Sequence, residues 1–153
     1  MALKEIEQLA QAMPSNTKYS AMIAEVYMKR KDYKTAKQYY DQVLQANPDD
    51  PYIHFSLAGL YKKMGDNERG LDEMHLAIAQ QGLPCKEKLH VLTSYFVDTD
   101  LRGQTVKDAL DLTETLYAQC PDELEITGFF ASLLLYDEQF DRSAEEMMKY
   151  IAQ

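Results

Sequence analysis

The sequence predicts an all-α fold built as a stack of helical hairpins, and three observations support this prediction. Apolar and small residues recur with a period of 34 residues, a length that is typical of helical-hairpin repeats. Of the 153 residues, 46% are hydrophobic and only 6 are Gly and 5 are Pro, as expected of a helical domain with its own core. The links between the apolar segments are short, and no segment calls for a β-strand.

The repeat is visible in three copies that share one spacing. A large apolar residue precedes a small one, a further large residue follows three positions later, and a second small residue comes twelve positions after the first. The copies are Ile23-Ala24-x-x-Tyr27 with Ala36, Leu57-Ala58-x-x-Tyr61 with Gly70, and Phe130-Ala131-x-x-Leu134 with Ser143. Because two helices of a hairpin approach closely only where the contacting residues are small, we expect the two small residues of each copy to face each other.

Apolar spacing and turn residues place the helices in order along the chain. The first is an apolar stripe over residues 3–13 that stops at Pro14. Asn47-Pro48 ends one helix and Asp49-Asp50-Pro51 begins the next, while Gly65-Asp66-Asn67 supplies a turn and a cap. The predicted helices span 2–13, 17–31, 33–46, 51–64, 67–81, 84–99, 105–119, 123–136 and 140–152.

We expect a single array over residues 1–153. Its segments are a half repeat or cap at 1–14, repeats at 15–48 and 49–82, an irregular longer repeat at 83–121 and a terminal repeat at 122–153. The long repeat has 39 residues from Gly82 to Pro121, and we place its surplus in a loop around residues 97–105, where polar residues and a Gly interrupt the apolar spacing. Two interpretations of this loop are open, a tolerated insertion at a hairpin tip and a dedicated binding loop.

With these residues the sequence resembles the tetratricopeptide repeat family, whose motif of large, small and aromatic positions ends in a proline, as in Ile23-Ala24-x-x-Tyr27 and Pro48. The resemblance covers nearly the whole chain. It implies a right-handed α-α superhelix in which the first helix of each hairpin lines a concave groove for an extended peptide or a helix. It also implies a role in protein binding, since such arrays present surfaces to other proteins.

Carried over by register, the resemblance implies a peptide-binding groove formed by the first helices. Its lining residues are Lys18, Ala21, Glu25, Met28, Tyr52, Phe55, Gly59, Lys62, His90, Ser94, Glu125, Phe129 and Ser132. We expect Tyr52, Phe55 and Phe129 to be anchors, because aromatic side chains supply much contact area at low entropic cost. A competing interpretation is that Phe55 or Phe129 packs between adjacent hairpins.

Both ends of the sequence are apolar, although solenoid ends normally need a polar cap. Residues 3–13 read as the second helix of a hairpin, and Tyr150 and Ile151 keep the C-terminal segment apolar. The chain therefore resembles an interior segment of a longer bacterial tetratricopeptide repeat protein, a class with many members exported to the cell envelope. The alternative is that residues 3–13 are a native cap and that the exposed ends pair two copies into a homodimer.

The net charge of −9 is carried by the last third of the chain. Residues 98–153 contain 4 basic and 13 acidic side chains, whereas residues 1–97 contain 12 of each. Because an acidic surface repels phosphate backbones, we expect no nucleic-acid binding, and we interpret the basic residues at 29–37 as a solvated hairpin tip. An alternative role for the acidic end is to steer a basic partner.

The sequence also bears on the cellular compartment. No apolar run approaches the roughly 20 residues that cross a bilayer, and the first residues lack the apolar core of a signal peptide, so we expect no direct membrane insertion. The chain is soluble as written. Its compartment stays open between the cytoplasm and, for a segment of a longer exported protein, the periplasm or cell envelope.

Two cysteines, Cys85 and Cys120, are too few for a disulfide framework and form no C-x-x-C pair, so we expect free thiols. The alternative is a disulfide, because antiparallel helices put these two positions at the same end of one hairpin. A disulfide would favour an oxidising compartment.

No pattern of catalytic residues is found. His54, His75 and His90 fall on separate predicted helices, and the sequence lacks an H-E-x-x-H pair, a glycine-rich phosphate loop and a nucleophile elbow. We therefore expect no enzymatic activity, no metal site and no cofactor. Three functions remain: a scaffold that binds a partner in the groove, a structural or self-assembly segment of a longer solenoid, and a positioning module for a catalytic domain outside this chain.

Overall fold

All regular secondary structure in the described part of the chain is α-helical. A computed structural model describes residues 3–48, 50–97 and 99–152. The helices are α1 (Leu3–Ala12), α2 (Thr17–Lys29), α3 (Tyr33–Ala46), α4 (Pro51–Met64), α5 (Asn67–Ala79), α6 (Cys85–Phe96), α7 (Gln104–Gln119), α8 (Leu124–Tyr136) and α9 (Phe140–Ile151). The predicted all-α fold is confirmed, with α3 and α4 at their predicted bounds. Positions 2, 49 and 98, which the predictions place in a helix, a turn and a helix, lie outside the described residues.

A repeated backbone feature ends the first helix of three hairpins. Lys31, Gly65 and Glu138 have φ values of 62°, 81° and 61°, the left-handed conformation that terminates helices. In each case the N–H of the next residue donates to the carbonyl five residues earlier, at 3.0, 2.9 and 2.8 Å. Each of the three stands seven residues after the small residue of its repeat, so the helix ends follow the same register as the core. This conformation ends α2 two residues before its predicted bound.

The long connection lies between α6 and α7. Helix α6 ends at Phe96, three residues before its predicted end, and the N–H of Thr99 closes a turn on the carbonyl of Phe96 at 2.9 Å. Helix α7 begins at Gln104, after Gly103 with a φ of 55°. The described residues of this connection, 97 and 99–103, therefore fall within the segment where the sequence places a loop.

The chain divides into two units, and the first is Met1–Glu73. Within it α1 packs on α2, α2 on α3 and α3 on α4. Ala24 and Ala36 are both fully buried in the core between α2 and α3, as expected for small residues at a close helix contact. Their core cluster consists of Ala24, Ala36, Tyr40, Val43, Ile53, Leu57, Leu60 and Tyr61.

A buried polar pair links α4 to the first turns of α5 in the same unit. Nδ1 of His54 lies 2.8 Å from a carboxylate oxygen of Glu73, and both side chains are largely buried. His54 is thus a packing residue with a hydrogen-bond partner.

The second unit is Met74–Gln153, in which α6 packs on α7, α7 on α8 and α8 on α9. Its third small-residue pair is in direct contact, because Oγ of Ser143 donates to the carbonyl oxygen of Ala131 at 2.8 Å. Both residues are buried. The hairpin of α8 and α9 therefore has the helix contact that the repeat spacing predicts.

Candidate binding surface

The first unit places the predicted groove residues of α2 and α4 on both exposed and half-buried positions. Lys18, Glu25 and Tyr52 are exposed, whereas Ala21, Met28, Phe55, Gly59 and Lys62 are half-buried. Ala21 and Met28 pack against the core cluster, so they lie under the surface and offer a partner little exposed area. Tyr52 has 54% of its surface exposed, which makes it the most accessible of the three predicted anchors.

A buried tyrosine of α3, Tyr40, lies between polar side chains of α2 and α4. The hydroxyl of buried Tyr40 is hydrogen-bonded to Ser56 on α4 and lies near the carboxylate of Glu25 on α2. Burial, and then the negative charge of Glu25, raise the pKa of Tyr40. The structure therefore brings Glu25 close to α4, and Ser56 is a neighbour that the groove prediction missed.

The N-terminal half of α4 is positioned by its cap. The carboxylate of Asp50 accepts from the backbone N–H of Tyr52 at 2.9 Å, which fixes the first turn from which the Tyr52 ring projects. One turn after Phe55, a Cβ built on Gly59 would meet no described atom within 4 Å apart from its chain neighbours and the backbone of its own helix. Open space therefore lies over the backbone of α4 at Gly59, on the helix that carries Tyr52 and Phe55.

The second unit contains the other half of the predicted surface. His90 and Ser94 on α6 and Glu125 on α8 are exposed, while Phe129 and Ser132 on α8 are half-buried. Oγ of Ser132 donates to the carbonyl oxygen of Gly128 at 2.9 Å, so its hydroxyl is satisfied within its own helix.

A cleft of about 320 Å³ lies between α6 and α8. Its lining residues are Lys86, Leu89, His90, Thr93 and Glu125. Nζ of Lys86 lies 3.4 Å from a carboxylate oxygen of Glu125 and 3.9 Å from one of Glu123, so an ion pair borders the cleft. The structure thus brings His90 and Glu125 to one cleft, which Ser94, Phe129 and Ser132 do not line.

Three of the cleft residues were missed in the sequence. Lys86, Leu89 and Thr93 lie within one turn of His90 on α6. Helical spacing could have found them, because Lys86 and Thr93 lie four and three residues from His90, and Leu89 lies three residues from Lys86 and four from Thr93. The cleft combines an apolar floor at Leu89 with a cation, a carboxylate and an imidazole at its rim.

Cys85 and Cys120 form a disulfide, which corrects the expectation of free thiols. Their Cα atoms are 6.2 Å apart, within the ~7 Å range that a disulfide can bridge. Cys85 begins α6 and Cys120 follows the end of α7, so the antiparallel arrangement of this hairpin brings them together.

A lysine is buried one turn from the disulfide. Lys88 is only 2% exposed, and its Nζ donates to the carbonyl oxygen of Ile78 and to Oε1 of Gln119, each at 2.7 Å. Loss of hydration lowers the pKa of the Lys88 ammonium. Ile78 and Gln119 lie at the C-terminal ends of α5 and α7, where a cation complements the partial negative charge of the helix end. Lys88 therefore holds two helix ends in place.

The described residues lack both a metal-binding cluster and a membrane-spanning helix. Within residues 3–48, 50–97 and 99–152, no three His, Cys, Asp or Glu side chains form a group that could hold a metal ion. In the same ranges, none of the helices has the length and apolar character needed to cross a bilayer.

Comparisons with known proteins support the sequence resemblance. Residues 27–82 match the family described as "Tetratricopeptide repeat". No curated protein sequence matches the chain.

Solved structures similar to the chain are arrays of the same kind. A MamA fragment from Desulfovibrio magneticus RS-1 has a TM-score of 0.61 at 12% identity, covering 98% of this chain and 82% of that one. Tetratricopeptide-like repeats of a putative kinesin light chain from Podosopora anserina have a TM-score of 0.62 at 13% identity, covering 98% of this chain and 84% of that one. YrrB, described as a tetratricopeptide repeat protein with an unusual peptide-binding site, has a TM-score of 0.58 at 15% identity, covering 98% of this chain and 75% of that one. These likenesses confirm the predicted fold class, the α-α superhelix.

Proposed function

We propose that this chain, whose residues 27–82 belong to the tetratricopeptide repeat family, is a non-enzymatic scaffold that binds a partner protein or peptide along the first helices of its hairpins. The observation that carries this proposal is the cleft between α6 and α8, where Leu89 lies beneath His90 and the Lys86–Glu125 ion pair. An apolar floor with a mixed polar rim fits a peptide, whose side chains supply apolar contacts and whose backbone needs hydrogen-bond partners.

The fold supports the same class of function. Repeat arrays present extended surfaces to other proteins, and YrrB, a structure of the same fold, is described as having a peptide-binding site. In the first unit, Tyr52 and Phe55 lie beside the open space over Gly59, which offers an aromatic anchor next to accessible backbone.

The charge and the disulfide narrow the proposed partner and compartment. The excess of acidic residues in 98–153 disfavours a nucleic-acid partner. The Cys85–Cys120 disulfide favours an oxidising compartment, in keeping with a bacterial protein of the periplasm or cell envelope rather than of the cytoplasm.

Site-specific photo-crosslinking in source cells tests the proposal. A benzoylphenylalanine placed at Tyr52 or at His90 is expected to form a covalent adduct with the partner, because both side chains are exposed on the proposed surface. The matched control position is Leu76 on α5, an apolar residue that is 51% exposed and lies outside the predicted groove. Adducts of the same protein from all three positions, or none from Tyr52 and His90, would argue against groove binding.

Self-assembly is the second candidate, and exposed apolar residues at the C-terminal helix favour it. Phe140 and Ile151 of α9 are 61% and 75% exposed. A homodimer through this helix would show a concentration-dependent mass in sedimentation equilibrium, and Ile151→Asp would abolish it. A monomer at all concentrations would remove this candidate.

A further inference from the structure

The disulfide between Cys85 and Cys120 forms part of the wall of an open cavity, which we call the disulfide cavity. Its volume is about 250 Å³, and its lining residues are Gln81, Leu83, Cys85, Lys88, Gln119 and Cys120. Cys85 is half-buried, whereas Cys120 is only 5% exposed. Cys85 is therefore the more accessible of the two cysteines, and an attacking group reaches the disulfide from its side.

The disulfide cavity has a positive charge beside the two sulfur atoms. Lys88 lines it, and among the described residues no carboxylate does so. The ammonium group of Lys88 donates to the carbonyl oxygen of Ile78 and to the amide oxygen of Gln119. Because both acceptors are neutral, these contacts leave the positive charge uncompensated. A cation in a poorly hydrated site attracts an incoming thiolate and stabilises a departing one.

Helix α6 adds a second source of positive potential. Cys85 is its first residue, and the preceding residue, Pro84, has no side-chain oxygen with which to cap the first turn. The N-terminus of a helix carries partial positive charge, and thiolates are stabilised there. Glu123, an acidic residue three positions after Cys120, lies 3.9 Å from Nζ of Lys86, which offsets its charge. The surroundings of Cys85 therefore favour the ionised form of its sulfur.

Access and positive potential together are the conditions under which a disulfide exchanges with thiols. We propose that Cys85 and Cys120 form a thiol–disulfide exchange site for the dithiol of another protein. A thiolate of that dithiol attacks Sγ of Cys85, the bond between the two sulfur atoms of this chain breaks, and Cys120 leaves as a thiolate. The second thiol of the dithiol, once deprotonated, attacks the mixed disulfide and releases Cys85 as a thiolate.

The exchange is balanced in atoms and electrons. Two electrons pass from the dithiol to this chain, the partner's two cysteines become a disulfide, and the two thiol protons end on Cys85 and Cys120. In the reverse direction the Cys85 thiolate attacks a disulfide of the partner, and Cys120 resolves the mixed disulfide. The exchange site has no lining residue in common with the cleft between α6 and α8, so it is independent of the proposed partner binding.

Reduction kinetics of the oxidised full chain test the proposal. Purified thioredoxin serves as the protein dithiol, and the thiols freed at each time point are labelled with a maleimide that shifts the band on a gel. The rate is expected to be first order in thioredoxin and insensitive to urea below the unfolding transition, because the native disulfide is attacked directly. A rate that rises with urea in proportion to the unfolded fraction would show that the disulfide is reduced only after unfolding, and it would overturn the proposal.

Substitutions test the positive charge of the disulfide cavity. Lys88→Met removes the charge and is expected to slow reduction by about threefold to tenfold, since exchange rates respond to thiolate stability with a Brønsted slope of about 0.5. Gln119→Glu keeps an oxygen that accepts from Lys88 but offsets its charge, so it should slow reduction in the same range. Lys88→Arg retains the charge and should keep most of the rate. The matched control is Lys107→Met, at an exposed lysine of α7 outside the disulfide cavity, and it should change the rate by less than about twofold.

Single-cysteine variants identify which sulfur reacts. The Cys85 thiol in Cys120→Ser is expected to react with dithiobis(nitrobenzoic acid) at least about tenfold faster than the Cys120 thiol in Cys85→Ser, because Cys85 is more accessible and begins a helix. In urea above the unfolding transition the two rates should converge, since the difference then has no structural basis. Equal rates in the native chains, or faster reaction of Cys120, would contradict the proposed order of steps.

The substitutions also separate the charge of Lys88 from its role in packing. Circular dichroism and the urea midpoint show which variants keep the fold. If Lys88→Met loses stability, Gln119→Glu carries the test, because it preserves the contact between the two side chains. A wild-type rate in Gln119→Glu, or equal slowing by Lys107→Met, would show that the charge of Lys88 does not assist exchange and would refute the proposal.

Discussion

Replacing the disulfide between Cys85 and Cys120 with two serines is expected to destabilise the second unit substantially. The crosslink joins residues that are 35 positions apart and closes the α6–α7 hairpin at its base. In the chain-entropy treatment, a loop of about 35 residues restricts the unfolded chain enough to contribute about 4 kcal/mol to stability at 25 °C. Helix α6 gains most, because its first turn is tied directly to the end of α7.

The loss can be measured by urea unfolding followed by circular dichroism, since the chain contains no Trp for fluorescence. Hydrogen exchange resolves the effect by region, and protection in α6 and α7 is expected to fall most. Dithiothreitol should reduce the stability of the wild-type chain to nearly that of Cys85→Ser/Cys120→Ser. The variant itself should be insensitive to the reductant, which serves as the control.

The reasoning about the disulfide would be refuted by either of two results. One is a titration of two free thiols in the denatured, air-oxidised chain. The other is a variant that unfolds at the same urea concentration as the oxidised wild type. A loss confined to α2 and α3 would equally contradict the structure, because those helices belong to the first unit.

Three further predictions concern packing, helix ends and the buried lysine. Ala24→Leu should lower the free energy of unfolding by about 1–3 kcal/mol, because it overpacks a fully buried helix contact. The control Ala46→Leu, at an exposed position, should change that free energy by less than about 0.5 kcal/mol. Urea unfolding measures both. Lys31→Gly should raise the thermal midpoint, because it relieves a left-handed conformation that costs a non-glycine residue about 1 kcal/mol, and an unchanged or lower midpoint would contradict this. Lys88→Met should alter the pH dependence of stability. The pKa of Lys88 is lowered in the folded state, so the unfolded chain binds more protons below the ordinary lysine pKa. The wild type should therefore gain stability relative to this variant as pH rises toward that pKa. If the free energies of unfolding of wild type and variant change in parallel over this pH range, the prediction is wrong.

The helices were predictable because their ends are marked in the sequence. Asn47-Pro48 and Asp50-Pro51 stop and start helices by removing backbone donors and supplying a cap, and α3 and α4 have the bounds predicted from them. The end of α2 was misplaced because Lys31 adopts a left-handed conformation that Gly usually takes. Lys31 occupies the same position in its repeat as Gly65 does in the next one, seven residues after the small residue. This correspondence is the signal that identifies the end of α2.

The candidate site was only partly predictable. Register placed His90 and Glu125 on facing helices, and the structure brings them to one cleft. The disulfide could not be decided from sequence, because the distance between two helix ends depends on how the helices cross. Lys88 was missed because lysines are rarely buried, although it continues the stripe of Leu92 and Phe96 on α6, where an apolar residue is expected.

The central claim is that the first helices bind a protein partner, and the affinity of the crosslinked partner tests it most directly. Isothermal titration would compare the wild type with Tyr52→Ala/Phe55→Ala/Phe129→Ala and with the control Leu76→Ala. Circular dichroism and the urea midpoint show first that each variant is folded. The account predicts an affinity at least about 100-fold lower for the triple variant and nearly unchanged for the control. Equal affinity of the triple variant and the wild type would contradict the claim.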